Sequence, residues 1–482
     1  MNLASFLEAS AHRHTHRPAV SDARTDRALS YGELMREAER VAAFVRVQGV
    51  ERHQRIGLCA PNGLAYLPAA FGLLAAGACL VPLASNLTPA ETAQITREVE
   101  LNGCLSWPKA EPLADLGPGA RVSGGECDGF TFRWIARDAA GPAAFARLNP
   151  AFIRFTSGTT ARSKGVVLSH EATAARVEAA DCVLRIGEAD RILWVLPLAY
   201  HFAVTIVAYV RAGAHVLLCP DHPPAALGDS IRRLAPTVLY ASPLHFERLG
   251  NLGARAPLTG VRLALSTSAP ITAAVMSRFE AAYGVPVGQA YGIIEAGLPC
   301  INLGTEDLPA AAVGRPVPGY EIAVISDAGE PLAAGERGEI AVRGDGLFAA
   351  YYAPWQLREQ LTRDGWFLTG DIGRLDEAGA LRLEGRKKAV IFVAGLKFFP
   401  EEVEDCINQF PGIKESRVFG RAHARLGEVP CAEVVPDPGA GLVGLPAHCA
   451  RLLSPYKVPL EFAVVERILR TPGGKILRRS PP

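Results

Sequence analysis

The chain has 482 residues, 49% hydrophobic and 21% charged, enough to bury a large core and too many for one ordinary compact domain. A formal net charge of +1 excludes the global field of a nucleic-acid or anionic-membrane binder. Ten cysteines stand singly with no CxxC pair, so neither a disulfide framework nor a zinc site is expected, and a reducing cytoplasm is the expected location.

The first residues, Met1-Asn2-Leu3-Ala4-Ser5, lack the basic and apolar regions of a signal peptide. Leu64 to Ala84 is a nearly uninterrupted apolar run, long enough on length alone to span a bilayer. Pro68, Gly72, Gly77 and Pro82 interrupt it and Cys79-Leu80-Val81 favours a strand. The pattern therefore predicts a buried helix from Ala65 to Ala76 and then a core strand, not a membrane span. Arg55–Cys59, Ala151–Phe155, His215–Cys219 and Val261–Leu265 are short apolar runs separated by helix-like segments, which predicts a layered α/β architecture. Ala110 to Ala144, rich in Gly, Ala and Asp with weak periodicity, reads as variable surface.

From Tyr320 to Gly379 short strands and turns such as Asp327-Ala328-Gly329-Glu330 predict a small, mostly β subdomain. After Gly385-Arg386-Lys387-Lys388 a strand is expected, then a helix opened by Pro400-Glu401-Glu402, because Pro and acidic residues suit a first turn. The predicted organisation is a large N-terminal domain over 1–387 and a small, mobile C-terminal α+β domain over 388–482. The larger domain is expected to combine layered α/β sheets with a β-barrel-like subdomain. No internal repeat is evident.

The segment richest in chemistry is Thr156-Ser157-Gly158-Thr159-Thr160-Ala161-Arg162-Ser163-Lys164-Gly165, between two predicted strands. Hydroxyls, glycine and a closing Lys164-Gly165 offer the amides, side-chain donors and cation that polyphosphate oxygens need. It is not a Walker A loop: Gly158 and Lys164 are wrongly spaced and no helix follows directly.

This loop resembles the signature of the adenylate-forming superfamily, which includes acyl-CoA synthetases, peptide-synthetase adenylation domains and beetle luciferase, and similar motifs continue in order along nearly the whole chain. Leu196-Pro197-Leu198-Ala199-Tyr200-His201 looks like the segment whose histidine lines the acyl pocket. Ser266-Thr267-Ser268-Ala269-Pro270 is similar to the adenine-binding segment, and Gln289-Ala290-Tyr291-Gly292-Ile293-Ile294-Glu295 to the motif whose tyrosine stacks on adenine and whose glutamate serves magnesium. Trp366-Phe367-Leu368-Thr369-Gly370-Asp371 matches the motif whose aspartate holds the ribose hydroxyls. Gly385-Arg386-Lys387-Lys388 resembles the hinge, with Arg386 on the ribose side and Lys388 at the pivot. Gly395 falls where the family's pantetheine tunnel passes, and Thr471-Pro472-Gly473-Gly474-Lys475-Ile476 resembles the catalytic-lysine motif.

The resemblance implies in-line attack of a carboxylate on the α-phosphorus of ATP, a meeting of two anions that demands charge neutralisation and fixed geometry. Thr156 to Lys164 would hold the β- and γ-phosphates, Glu295 and Thr159 would serve Mg²⁺, and Lys475 would bridge carboxylate and α-phosphate. Thiol attack on the acyl-adenylate would follow rotation of the C-terminal domain about Lys388. The sequence departs from the pattern at several positions. Ile294 replaces the usual Thr, Ala161 the usual Gly, Ser163 the usual Pro and Ala389 the usual acid, and Phe392 stands where a basic residue is common.

An amino-acid substrate would need a carboxylate for its ammonium near Phe202, and His201-Phe202-Ala203-Val204 has none. With Ser242, Ile293, Ile294, Ala296, Gly297 and Leu298 as further expected lining, the pocket suits a fatty or aromatic acid. The expected acceptor is coenzyme A or the phosphopantetheine of a separate acyl carrier protein, since few residues follow Lys475. No nucleic-acid or stably inserted membrane partner is expected, and the oligomeric state stays open. Two other readings share the fold: a degenerate homologue that binds ATP without acid-dependent pyrophosphate release, and a luciferase-like oxygenase that consumes oxygen.

Overall fold

The computed structural model describes residues 1–85, 87–107, 121–156, 164–219, 224–252, 258, 260–268, 271, 273–304, 308, 312–386, 391–398, 400–437 and 439–468. The apolar run divides as its breakers dictate, into the helix Tyr66–Ala75 and the strand Cys79–Leu83. Among the described residues no helix is long and apolar enough to cross a membrane. Gly72 is placed by packing: a Cβ there would lie 2.6 Å from Cβ of Val41 and 2.7 Å from the Ala38 carbonyl oxygen, so only glycine lets the helix Tyr31–Val47 cross this closely.

Two large sheets form the N-terminal domain. In the first, Pro18–Asp22, His215–Leu218, Arg191–Trp194, Val238–Ala241, Leu263–Ser266 and Val287–Ile293 are successive parallel neighbours. The strands His215–Leu218, Val238–Ala241 and Leu263–Ser266 at its centre are nearly continuous apolar runs because both faces are covered. The mostly β region continues this sheet at one edge: Ala312–Pro316 carries it into the antiparallel strands Leu381–Arg386, Trp366–Leu375, Gly338–Gly344 and Tyr320–Ile325.

The second sheet places Arg55–Cys59 between the parallel strands Cys79–Leu83 and Gly103–Ser106. It extends to the antiparallel hairpin Pro150–Thr156/Lys164–Ser169, whose connection is the predicted phosphate loop. The region read as variable surface contains an edge hairpin, Arg121–Cys127 with Phe130–Trp134, that buries Phe130 and Phe132. That period-two pair carries the strand signal which the surrounding Gly and Asp obscure.

The C-terminal domain is a five-stranded sheet with the helices Pro400–Asn408 and Leu445–Leu452. It has a core of its own around Phe398, Val403, Ile407, Val418 and Val434. It meets the larger domain at the start of the helix Pro89–Glu98, where Thr88 and Glu91 form a capping box. The same Glu91 accepts from Lys457 Nζ at 2.9 Å and from the Ser454 amide at 3.3 Å, while Lys457 also reaches Glu402 at 2.9 Å. Lys457 is held firmly protonated: burial opposes its charge, but Glu402, Tyr456 and Glu91 outweigh that. Lys388, expected at the hinge, lies outside the described residues.

Candidate active site

A cleft of about 1970 Å³ lies between the two sheets and is closed on one side by the C-terminal domain. Lys164, Glu295, His201, Ser242, Ser268 and Gly292 line it, together with Ile293, Ile294, Gly297 and Gly395. Residues separated by up to 231 positions thus share one cavity, counting from Lys164 to Gly395.

Glu295 stands at the turn after the strand Val287–Ile293. Its carboxylate accepts from the Tyr351 hydroxyl at 2.9 Å, and its backbone carbonyl accepts from the Phe348 amide at 2.7 Å. From behind, the buried guanidinium of Arg176 donates to the carbonyls of Ile294 at 2.9 Å and Glu295 at 3.2 Å. The Lys164 ammonium lies 4.4 Å from the Tyr351 ring centroid, so one aromatic ring touches the lysine that closes the predicted phosphate loop, and its hydroxyl holds the carboxylate. A cation, a carboxylate and exposed backbone around an open cavity are a donor set that fits a polyphosphate and its divalent ion.

Tyr291 and Asp371 do not line the cleft. Both are buried behind the wall made by Gly292, Thr369 and Gly370, where Tyr291 donates to Asp371 at 2.7 Å. Burial, followed by the Asp371 charge, raises the Tyr291 pKa, so the phenol stays protonated. Ser268 takes the left-handed φ of +75°, a conformation that favours glycine.

His201 stands just before a turn of π-helix, Phe202–Ile206, an irregularity that re-aims side chains and recurs at functional sites. Its ring packs edge-on to Trp194 at 5.6 Å, and its pKa is pushed down to about 3 by burial and then by Arg154 and Lys397. His201 is therefore neutral near pH 7. Phe202, expected in the acyl pocket, is instead fully buried among Tyr66, Phe71 and Phe152, because the π-turn directs it into the core. Ser242 shares a hydrogen with His245 Nδ1 at 2.8 Å. A Cβ on Gly395, whose φ is +83°, would lie 3.2 Å from Cβ of Ser242, so the turn between the strands Ile391–Val393 and Leu396–Phe398 sits against the Ser242 wall of the cleft.

Residues 7–352 match the family described as AMP-binding enzyme, and residues 402–475 match the AMP-binding enzyme C-terminal domain. The chain belongs to the AMP-binding enzyme family. This AMP-binding enzyme is 29% identical over 495 residues to a sulfoacetate–CoA ligase of Cupriavidus necator, covering 99% of this chain and 96% of that one. It is 30% identical over 493 residues to a feruloyl-CoA synthase of Amycolatopsis, covering 99% and 97%. An o-succinylbenzoate CoA synthetase from Bacillus subtilis has the same fold, with a TM-score of 0.84 at 23% identity over 98% of this chain and 97% of the other. The enzyme is an acyl-CoA synthetase-type ligase of the adenylate-forming superfamily.

Ser157, Gly158, Thr159, Thr160, Ala269, Lys388 and Lys475 of this AMP-binding enzyme lie outside the described residues; Thr156 and Arg386 are described only as the last residues of their strands. The motifs give no pointer to Tyr351, Arg176 or Arg154. Tyr351 sits in a two-residue strand, and Arg176 on a helix whose apolar pattern reads as core. Arg154 lies inside the predicted strand Ala151–Phe155, where a charge breaking an apolar run was the available signal.

Proposed function

We propose that this enzyme activates a fatty or aromatic carboxylic acid as acyl-AMP and transfers the acyl group to coenzyme A. A carboxylate oxygen bonds to the α-phosphorus of ATP as the bond to the β-phosphate oxygen breaks and pyrophosphate leaves. Thiol sulfur then bonds to the acyl carbon, AMP leaves with the electron pair, and the thiol proton passes to solvent. The observation that carries this reading is the single cavity joining Lys164, Glu295 and His201 of the large domain to Gly395 of the small one.

In this reading Lys164 and the loop before it hold the β- and γ-phosphates, and Glu295, oriented by Tyr351 and Arg176, offers its carboxylate to Mg²⁺. The ion, when bound, screens the pyrophosphate charge. Arg386 serves the ribose, and Tyr291 and Asp371, hydrogen-bonded to each other behind the wall of Gly292, Thr369 and Gly370, support the nucleotide side of the cleft from behind. Neutral His201 bounds the acyl pocket with Ser242, Ile293, Ile294 and Leu298, and none of these five side chains carries a carboxylate for an ammonium group. Lys475, brought in by rotation about Lys388, completes the adenylation site; the domain boundary at 387/388 belongs to the same proposal. The arrangement in which Gly395 abuts Ser242 suits thiol entry.

The test is a pyrophosphate-release screen over fatty, aromatic and amino acids, with coenzyme A and a phosphopantetheinyl carrier protein as rival acceptors. Acid-dependent release and an acyl-CoA product support the reading. ATP binding without release with any acid refutes it, and acylation of the carrier alone replaces coenzyme A as acceptor. Lys475→Ala is expected to lower acid-dependent release by about 10²–10³.

A further inference from the structure

Arg154 is 7% exposed, lines the cleft, and among the described residues receives no hydrogen bond or ion-pair partner. A buried guanidinium in that state is costly to keep. Its strand register gives it direction. Arg154 pairs with Val166 across the hairpin and residue 156 pairs with Lys164, so Arg154 and Lys164 stand on one face of the sheet, one pleat repeat apart. Its field is felt by His201 on the acyl side, and it is itself influenced by Glu295 on the phosphate side. The Tyr66 hydroxyl, in the field of Arg154, is also buried, with no hydrogen-bond partner among the described residues. Burial, then Arg176, draws the Arg154 pKa down to about 10, which leaves it cationic near neutrality.

We propose that Arg154 is a catalytic residue of the large domain that holds the negative charge at the junction of the acid's carboxylate and the α-phosphate, through both half-reactions. The inference rests on the adenylation reading above. Lys475 belongs to the domain that must rotate away before the thiol enters; Arg154 belongs to a strand of the large domain and stays. It makes and breaks no bond. Its guanidinium donates hydrogen bonds to oxygen while carboxylate oxygen displaces pyrophosphate, and again while sulfur displaces AMP. A planar fork suits this role better than a point charge.

The test separates the half-reactions: acid-dependent pyrophosphate release, and AMP release from synthetic acyl-adenylate with coenzyme A. Arg154→Met is expected to lose about 10²–10³ in kcat in both, and Arg154→Lys to recover most of that loss, within about tenfold of the native rate. Arg154→Met is also expected to melt at a higher temperature, because a buried unpaired charge is gone. Native rates in Arg154→Met overturn the proposal. So does a loss confined to acids bearing a second acidic group, which would make Arg154 an anchor for that group. A lower melting temperature with full rates per folded active site would assign Arg154 to packing and also overturn it. If the native enzyme releases no acid-dependent pyrophosphate, the functional reading fails first and the melting comparison still judges the buried charge.

Discussion

Tyr291 donates its hydroxyl hydrogen to Oδ2 of Asp371 across 2.7 Å, tying the end of the parallel sheet to the antiparallel strand Trp366–Leu375 behind the cleft wall. A hydrogen bond to a charged group contributes about 1.5–3 kcal/mol, and its loss leaves a buried carboxylate short of a donor. Tyr291→Phe is expected to weaken AMP binding by about tenfold or more and to lower stability by roughly 1–3 kcal/mol. Calorimetric titration with AMP and a urea melt check both; an unchanged dissociation constant would detach this pair from the nucleotide.

Lys457 bridges two carboxylates, one from each domain. Lys457→Met removes the cation and leaves Glu91 facing Glu402, and breaking a buried pair in this way costs about 3–5 kcal/mol. The C-terminal domain should then leave this orientation. AMP release from preformed acyl-adenylate should drop by at least tenfold, while adenylation from acid and ATP persists. Solution scattering that superimposes on the native curve, with both rates intact, would show the bridge to be dispensable.

Gly395 combines a left-handed φ of +83° with packing so close that an added Cβ would lie 3.2 Å from Cβ of Ser242. A side chain at that φ costs about 1–2 kcal/mol before any clash is counted. Gly395→Ala should therefore slow the thiol step about tenfold and leave pyrophosphate release within twofold. Equal slowing of both steps would place the defect in folding.

Four histidines are held neutral chiefly by burial, with pKa pushed down to about 3 for His201 and about 4 for His170, His215 and His245. The His170 ring also accepts the Leu3 amide at Nδ1, 3.1 Å away, a bond that protonation would remove. In the unfolded chain each titrates near 6.5, so below that pH the unfolded state binds more protons and stability falls as pH falls. Each contributes a loss approaching about 1.4 kcal/mol per pH unit between roughly pH 6.5 and 4. Melts at pH 7.5, 6 and 5 should show a steady decline, shallower in His170→Gln. A flat profile down to pH 5 would contradict this.

The segments that announce chemistry in the sequence are those where side-chain type and spacing act locally: Lys164, Glu295, His201 and Gly395 all meet in one cavity. What stayed hidden depends on long-range packing. Phe202 reads as a pocket residue until the π-turn swings it into the core, and Tyr351 and Arg176 act on Glu295 from elements 56 and 119 residues away. The Lys457–Glu91 bridge spans 366 positions and has no local signature at either end.

The cleft is walled partly by each domain, so as one cavity it exists only while they are docked. A small molecule shaped to the whole space would stabilise the docked form by its contacts to both sides. It would behave as an interdomain adhesive, inhibiting by arresting the swing of the small domain, and each substrate that enters the cleft would compete with it.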